Sequence, residues 1–168
     1  TSLFSTTLNA LDANTTGIVN AGSVTSLAGT TETLSKAYNS SGVTGLGDEA
    51  VTLSDTEISA TVLNTLDGKT TGKIDASKLT KITGTGTDAK TAFESAGISG
   101  LTFDASNYLA SYADLLTAFG NDLATAKAHY FANGVSEGRS FDAFDETSYL
   151  ASYSDLLGAF GTNVDKAL

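Results

Sequence analysis

The chain repeats itself, and this self-similarity constrains its fold more than any single motif does. Leu8-Asn9-Ala10-Leu11-Asp12-Ala13-Asn14-Thr15-Thr16-Gly17 returns as Leu63-Asn64-Thr65-Leu66-Asp67-Gly68-Lys69-Thr70-Thr71-Gly72. The offset, 63 − 8 = 55, holds without a gap from Leu8 to Leu46. Val19 maps to Ile74, Ala21 to Ala76, Val24 to Leu79, Leu27 to Ile82, Ala37 to Ala92 and Tyr38 to Phe93. Apolar class survives where identity does not, which predicts core positions. Near residue 102 a second pattern takes over. Phe103-Asp104 through Gly120 returns as Phe144-Asp145 through Gly161, with an offset of 144 − 103 = 41.

The two periods predict two segments. Residues 1–101 read as two Thr/Ser-rich α/β repeats of 55 residues, solenoid-like stacks of helix–strand units too thin to stand alone. Residues 102–168 read as all-α hairpin repeats of 41 residues, the second copy truncated. Within the first segment, the alternation in Ala50–Ser54 predicts a strand, and Ser54-x-x-Glu57 has the form of a capping box. Ile58, Val62, Leu63 and Leu66 then fall at helical spacing, with Gly68 or Gly72 to end the helix. Lys73–Ala76 is a further extended piece, and Thr87-Asp88 can start a helix carrying Ala89, Ala92, Phe93 and Ala96, stopped by Gly97. In the second segment Tyr108, Leu109, Tyr112, Leu115, Leu116 and Phe119 make one face of one helix, capped by Asp104 or Ser106 and ended by Gly120. A second helix, 122–133, carries Leu123, Ala126, Tyr130 and Phe131 and stops at Gly134. Tyr130 and Phe131 should close over Tyr108, Leu115 and Phe119. The second copy reaches Lys166-Ala167-Leu168 in the middle of that helix, so the parent chain is expected to continue and the stripe from Tyr149 to Phe160 to be covered by a neighbour.

The pattern Phe103-Asp104-x-x-x-Tyr108-Leu109-Ala110-Ser111-Tyr112 through His129-Tyr130-x-x-x-Gly134-x-x-Glu137-Gly138-Arg139 resembles a repeat of large secreted proteins of cyanobacteria and proteobacteria. The 55-residue unit is similar to Thr/Ser-rich tandem repeats of cyanobacterial surface proteins. The resemblance implies export to the cell surface or beyond and no particular activity.

Composition narrows the function classes. The net charge of −10 opposes nucleic-acid binding, because phosphates demand a basic face. The absence of cysteine removes disulfides, thiolate metal sites and thiol nucleophiles. No apolar run approaches the roughly 18 residues of a membrane span.

One local motif points to chemistry. Asp12-x-Asn14-x-Thr16-Gly17-x-Val19 follows the first positions of an EF-hand loop and makes Asp12, Asn14 and Thr16 candidate calcium ligands. The twelfth position holds Ser23 in place of a bidentate Glu, and in the second copy Lys69 and Lys78 stand where ligands should. The competing reading has Asp12 and Asp67 bonding nearby amides while the glycine supplies a positive φ. Asp104 and Asp145 read as helix caps, with Asp142, Asp145 and Glu146 close enough in sequence to share a cation. His129 is the single histidine and lacks a Gly-x-Ser-x-Gly elbow, so it reads as packed near its helix's C-terminus. Glu137-Gly138-Arg139 predicts a turn tied by an ion pair.

These features predict a non-enzymatic structural or adhesive module of a secreted or cell-surface protein, without a required cofactor. It would act as a spacer and self-association surface, its partners further copies or neighbouring repeats of the parent chain. The alternative is a calcium-dependent glycan-binding adhesin or a phage appendage module.

Overall fold

A computed structural model describes residues 1–161 and 163. The order is β1 (Ser2–Phe4), α1 (Ser5–Ala13), β2 (Val19–Asn20), β3 (Ser26–Gly29), α2 (Thr31–Asn39), β4 (Val43–Thr44), β5 (Ala50–Leu53), β6 (Glu57–Ser59), α3 (Ala60–Asp67), β7 (Ile74–Asp75), β8 (Lys81–Thr83), α4 (Gly86–Glu94) and β9 (Ile98–Ser99). Helices follow: α5 (Ala105–Ser111), α6 (Ala113–Phe119), α7 (Leu123–His129), a π-helical turn (Tyr130–Gly134), α8 (Glu146–Ser152) and α9 (Ser154–Phe160). The fold is mixed α/β.

Every strand pairing is parallel, as crossover connections through helices require. Five strands form one sheet in the order β1-β3-β5-β7-β9, and β2-β4 and β6-β8 form two-stranded pairs. Register stacks Leu3, Leu27, Val51, Ile74 and Ile98 side by side, and the three central ones are fully buried. Helices of eight or nine residues are too short to hold themselves in water. Each instead buries a narrow stripe: Leu8 in α1, Leu34 and Ala37 in α2, Leu63 and Leu66 in α3, Ala89 and Ala92 in α4. Polar stitching fixes their order. Asn9 Nδ2 donates to the Thr33 carbonyl at 2.8 Å, and Asn64 Nδ2 to the Asp88 carbonyl at 3.0 Å.

Strand β5 joins two ladders. On one side Val51 pairs with Leu27 of β3; on the other it pairs with Ile74 of β7, the position 55 residues after Val19. The extended piece at 50–53 therefore matches its expectation and connects residues 1–49 to residues 56–101.

Several local expectations need correction. Ser54 caps no helix. Glu57 and Ile58 lie in β6, where Glu57 meets Lys81 at 3.2 Å and Ile58 pairs with buried Ile82, so strand pairing overrides the capping pattern. The helix starts only at Ala60, and Val62 points outward at 39% exposure. Helix α4 begins at Gly86, its cap being Thr85, whose hydroxyl accepts the Asp88 N–H.

The larger correction concerns residues 105–119, which form two helices. Tyr112 breaks them with an extended backbone (φ −136°, ψ 102°), and Tyr153 breaks α8 from α9 in the same way. The break carries Tyr112 toward Ser140, whose N–H donates to the phenolic oxygen at 2.7 Å. It also divides the expected apolar face: Leu115 is buried while Leu116 is 46% exposed. Asp104 and Gly120 cap and end the helices as the sequence predicts, Gly120 at φ 57°.

Tyr130 meets Tyr108 edge-on as expected, with ring centres 5.3 Å apart. Phe131 turns instead toward the sheet segment, packing on Phe93 and Phe103, while His129 covers Phe119. Phe93 of α4 lies at the centre of this aromatic cluster and holds residues 102–141 against the α/β segment. The expectation for Lys166-Ala167-Leu168 lies outside the described residues.

Candidate functional site

Two of the three candidate calcium ligands, Asp12 and Asn14, make hydrogen bonds within the chain. Asp12, at the end of α1, accepts a 2.6 Å hydrogen bond from Ser40 Oγ, and Ser40 Oγ in turn accepts the Gly42 N–H. Asn14 donates its amide to the Ala10 carbonyl at 2.7 Å, closing the helix end. Thr16 sits exposed in the following bend. Asp67 repeats the first arrangement with Ser95 and Gly97, at the same 2.6 Å and 3.0 Å. The competing reading also changes in detail. The aspartates reach a hydroxyl in the next helix–strand connection rather than a nearby amide, and neither Gly17 nor Gly72 has a positive φ.

A site that motif reading missed lies just beyond, at Glu49 and the Thr70-Thr71-Gly72 turn. Glu49 is 1% exposed. Its carboxylate accepts the Gly47 N–H at 2.9 Å and a short hydrogen bond from the Tyr38 hydroxyl. Burial, then the bond to Glu49, pushes the Tyr38 hydroxyl pKa far above its ordinary value. The carboxylate thus holds the loop from the inside, and the loop's backbone meets the turn that follows α3. There Thr70 Oγ1 donates to the Glu49 carbonyl at 2.7 Å, and the Thr71 N–H donates to the Gly47 carbonyl at 2.8 Å. The Val51 N–H donates to the Lys73 carbonyl at 2.9 Å. A Cβ at Gly72 would overlap the Glu49–Ala50 peptide, so only glycine permits the approach. The available sequence signal was the return of Thr-Thr-Gly at 55 residues.

A second polar cluster ties the helical segment. The Arg139 guanidinium binds both Asp114 carboxylate oxygens, at 3.1 and 2.7 Å, and its Nε donates to Glu137 at 2.6 Å. It also lies 4.7 Å over the Tyr112 ring. The local Glu137–Arg139 pair follows the sequence reading; Asp114 is additional. Asp114 is held below the usual carboxylate range chiefly by its bonds to Arg139. His129 Nδ1 is 3.1 Å from the Tyr108 hydroxyl and its Nε2 3.8 Å from Glu137, so both ring nitrogens face protein groups.

The acidic set divides. Asp145 caps α8 through the Ser148 N–H, which lowers its pKa, and Glu146 accepts from Asn107. Asp142 is raised by burial and by the neighbouring charges of Glu146 and Asp104. Among the described residues no three Asp, Glu or His side chains gather as a metal site, and no helix is long and apolar enough to cross a membrane.

These arrangements tie elements of the one chain to each other; their donors and acceptors meet backbone and side chains of neighbouring elements. No protein-family model, curated protein or solved structure matches the chain.

Proposed function

We propose that the chain is a structural and adhesive module of a secreted or cell-surface protein, a solenoid-like stack of 55-residue units followed by helical 41-residue units. It works as a spacer and a self-association surface, without catalysis. The observation that carries this reading is where the apolar surface lies. Among the described residues nine large apolar side chains are exposed: Phe4, Leu11 and Ile18 lie in or beside β1 and α1, Tyr153, Leu157 and Phe160 in α9 and at its start, and Val62, Leu116 and Leu123 between these two groups. The middle of the chain spends its polar groups on internal stitching. Such a distribution suits a module that joins others at its ends.

The α9 face is the self-association surface. Its Tyr153 is half exposed, whereas Tyr112 in the equivalent helix break is covered by Arg139. Sedimentation velocity from micromolar to hundreds of micromolar tests the reading. Concentration-dependent association, abolished in the double variant Leu157→Ser, Phe160→Ser, is the expected result. A monomer throughout the range, combined with calcium-dependent retention on immobilised glycans, would favour the adhesin instead.

A further inference from the structure

Thr15-Thr16-Gly17 and Thr70-Thr71-Gly72 are built alike. In each, the glycine N–H donates to the first threonine's hydroxyl, at 3.1 and 3.0 Å. The second turn grips the Gly47–Glu49 loop and the β5 strand. The first makes no such contact among the described residues. Thr70 is 8% exposed and Thr15 is exposed; Leu66 is 2% exposed and Leu11 is 52%. Strand β7 is paired on both sides, by β5 and β9, while β2 is paired by β4 alone. Gly17 has an ordinary φ, and the nearest atom to a Cβ placed there is its own Thr15 Oγ1, 3.5 Å away. Nothing among the described residues requires glycine at 17. The contact that requires it at 72 is a peptide of the preceding unit.

We propose that Leu11, Thr15-Thr16-Gly17 and the free edge of β2 are a preformed docking face for another unit of the same 55-residue pattern. The partner inserts a loop and strand of the chemistry of Gly47–Leu53: a glycine, an inward-turned glutamate and an alternating Ala-Val-Thr-Leu strand. Its Gly47-equivalent carbonyl accepts the Thr16 N–H, its Glu49-equivalent carbonyl accepts the Thr15 hydroxyl, and its strand extends β2 in parallel. A second copy of this chain does not satisfy the face, because its own Gly47–Leu53 segment is already paired with β3 and β7. The inference rests on the stacked-unit reading above and names the partner that one end of the stack takes.

The test joins residues 1–55 directly ahead of Thr1, which keeps the spacing because Thr1 and Thr56 occupy equivalent positions. Residue-resolved amide hydrogen exchange is then compared with that of the original chain. The Thr16 amide should slow by about tenfold or more, and Gly17→Ala at the junction should return it to the free rate. If Thr16 exchanges unchanged while the added unit's own helix amides are protected, docking is refuted and the stacked-unit reading survives. If the added unit shows no protection at all, both fail. Protection of Thr16 in the original chain that grows with concentration would make a second copy the occupant and overturn the assignment.

Discussion

Asp12 and Ser40 are joined by a 2.6 Å hydrogen bond across 28 residues, and Asp67 and Ser95 by one of the same length. The carboxylate at the end of one helix thereby fixes the bend after the next. This use of Asp12 determines what a cation can find there. Millimolar calcium is expected to leave Tm unchanged, because binding at Asp12 would have to displace Ser40 without a twelfth-position carboxylate to compensate. A rise of more than about 10 °C in calorimetry, several kcal/mol for a chain of this size, would refute this.

The two equivalent glycines should respond oppositely to the same change. Gly72→Ala forces a methyl into the Glu49–Ala50 peptide and should cost about 1–3 kcal/mol in urea unfolding. Gly17→Ala meets open space at an ordinary φ and should stay within about 0.5 kcal/mol of the parent. Equal losses in the two variants would show that the glycines serve their own turns rather than a neighbouring unit.

Asp142 gives a pH signature opposite to that of Asp114, Asp122 and Asp145. Its folded pKa is raised, by burial first and then by Glu146 and Asp104, so ionisation destabilises the fold. Below the unfolded pKa both states are protonated and the penalty is absent; above the folded pKa it is complete. Asp142→Asn should therefore raise Tm at pH 7 by about 1–2 °C, and the gain should vanish as pH falls to about 3.5. Asp114, Asp122 and Asp145, whose pKa values are lowered, work in the other direction: they stabilise at neutral pH and lose that contribution in acid.

Tyr130 is fully buried, and its hydroxyl has no hydrogen-bond partner among the described residues. Its ring packs among Phe93, Phe103 and Tyr108. Tyr130→Phe keeps the ring and removes the unsatisfied hydroxyl, and is expected to gain up to about 1 kcal/mol in chemical denaturation. A loss of more than about 1 kcal/mol would reveal a partner for that hydroxyl.

Arg139 combines a bidentate carboxylate pair with stacking over Tyr112, a combination that an ammonium group does not reproduce. Arg139→Lys should cost about 1–2 kcal/mol. A near-neutral result would mean that the Tyr112–Ser140 hydrogen bond alone holds the helix break.

Features that depend on neighbouring residues and on pattern could be read from the chain directly. The core positions Leu8, Leu27, Leu63, Ile74 and Ile82 follow from apolar class returning at a fixed offset, and all five are buried. The caps at Asp104 and Asp145 and the ends at Gly120 and Gly161 follow from local side-chain and backbone chemistry. Features that depend on a distant partner were set by the packing of the folded chain. Helical spacing from Tyr108 to Phe119 carries no mark of the break at Tyr112, because its reward is the Ser140 amide 28 residues on. Ser54-x-x-Glu57 lost its capping role to pairing with β8 for the same reason. The motif at 12–17 matches only the first positions of a metal loop when read along the chain. In three dimensions Asp12 turns to Ser40, and Thr15-Thr16-Gly17 repeats a turn whose second copy clasps a preceding loop. Equivalent residues in Leu11 and Leu66 end up exposed and buried because burial is set by what stacks on the helix, which no local pattern encodes.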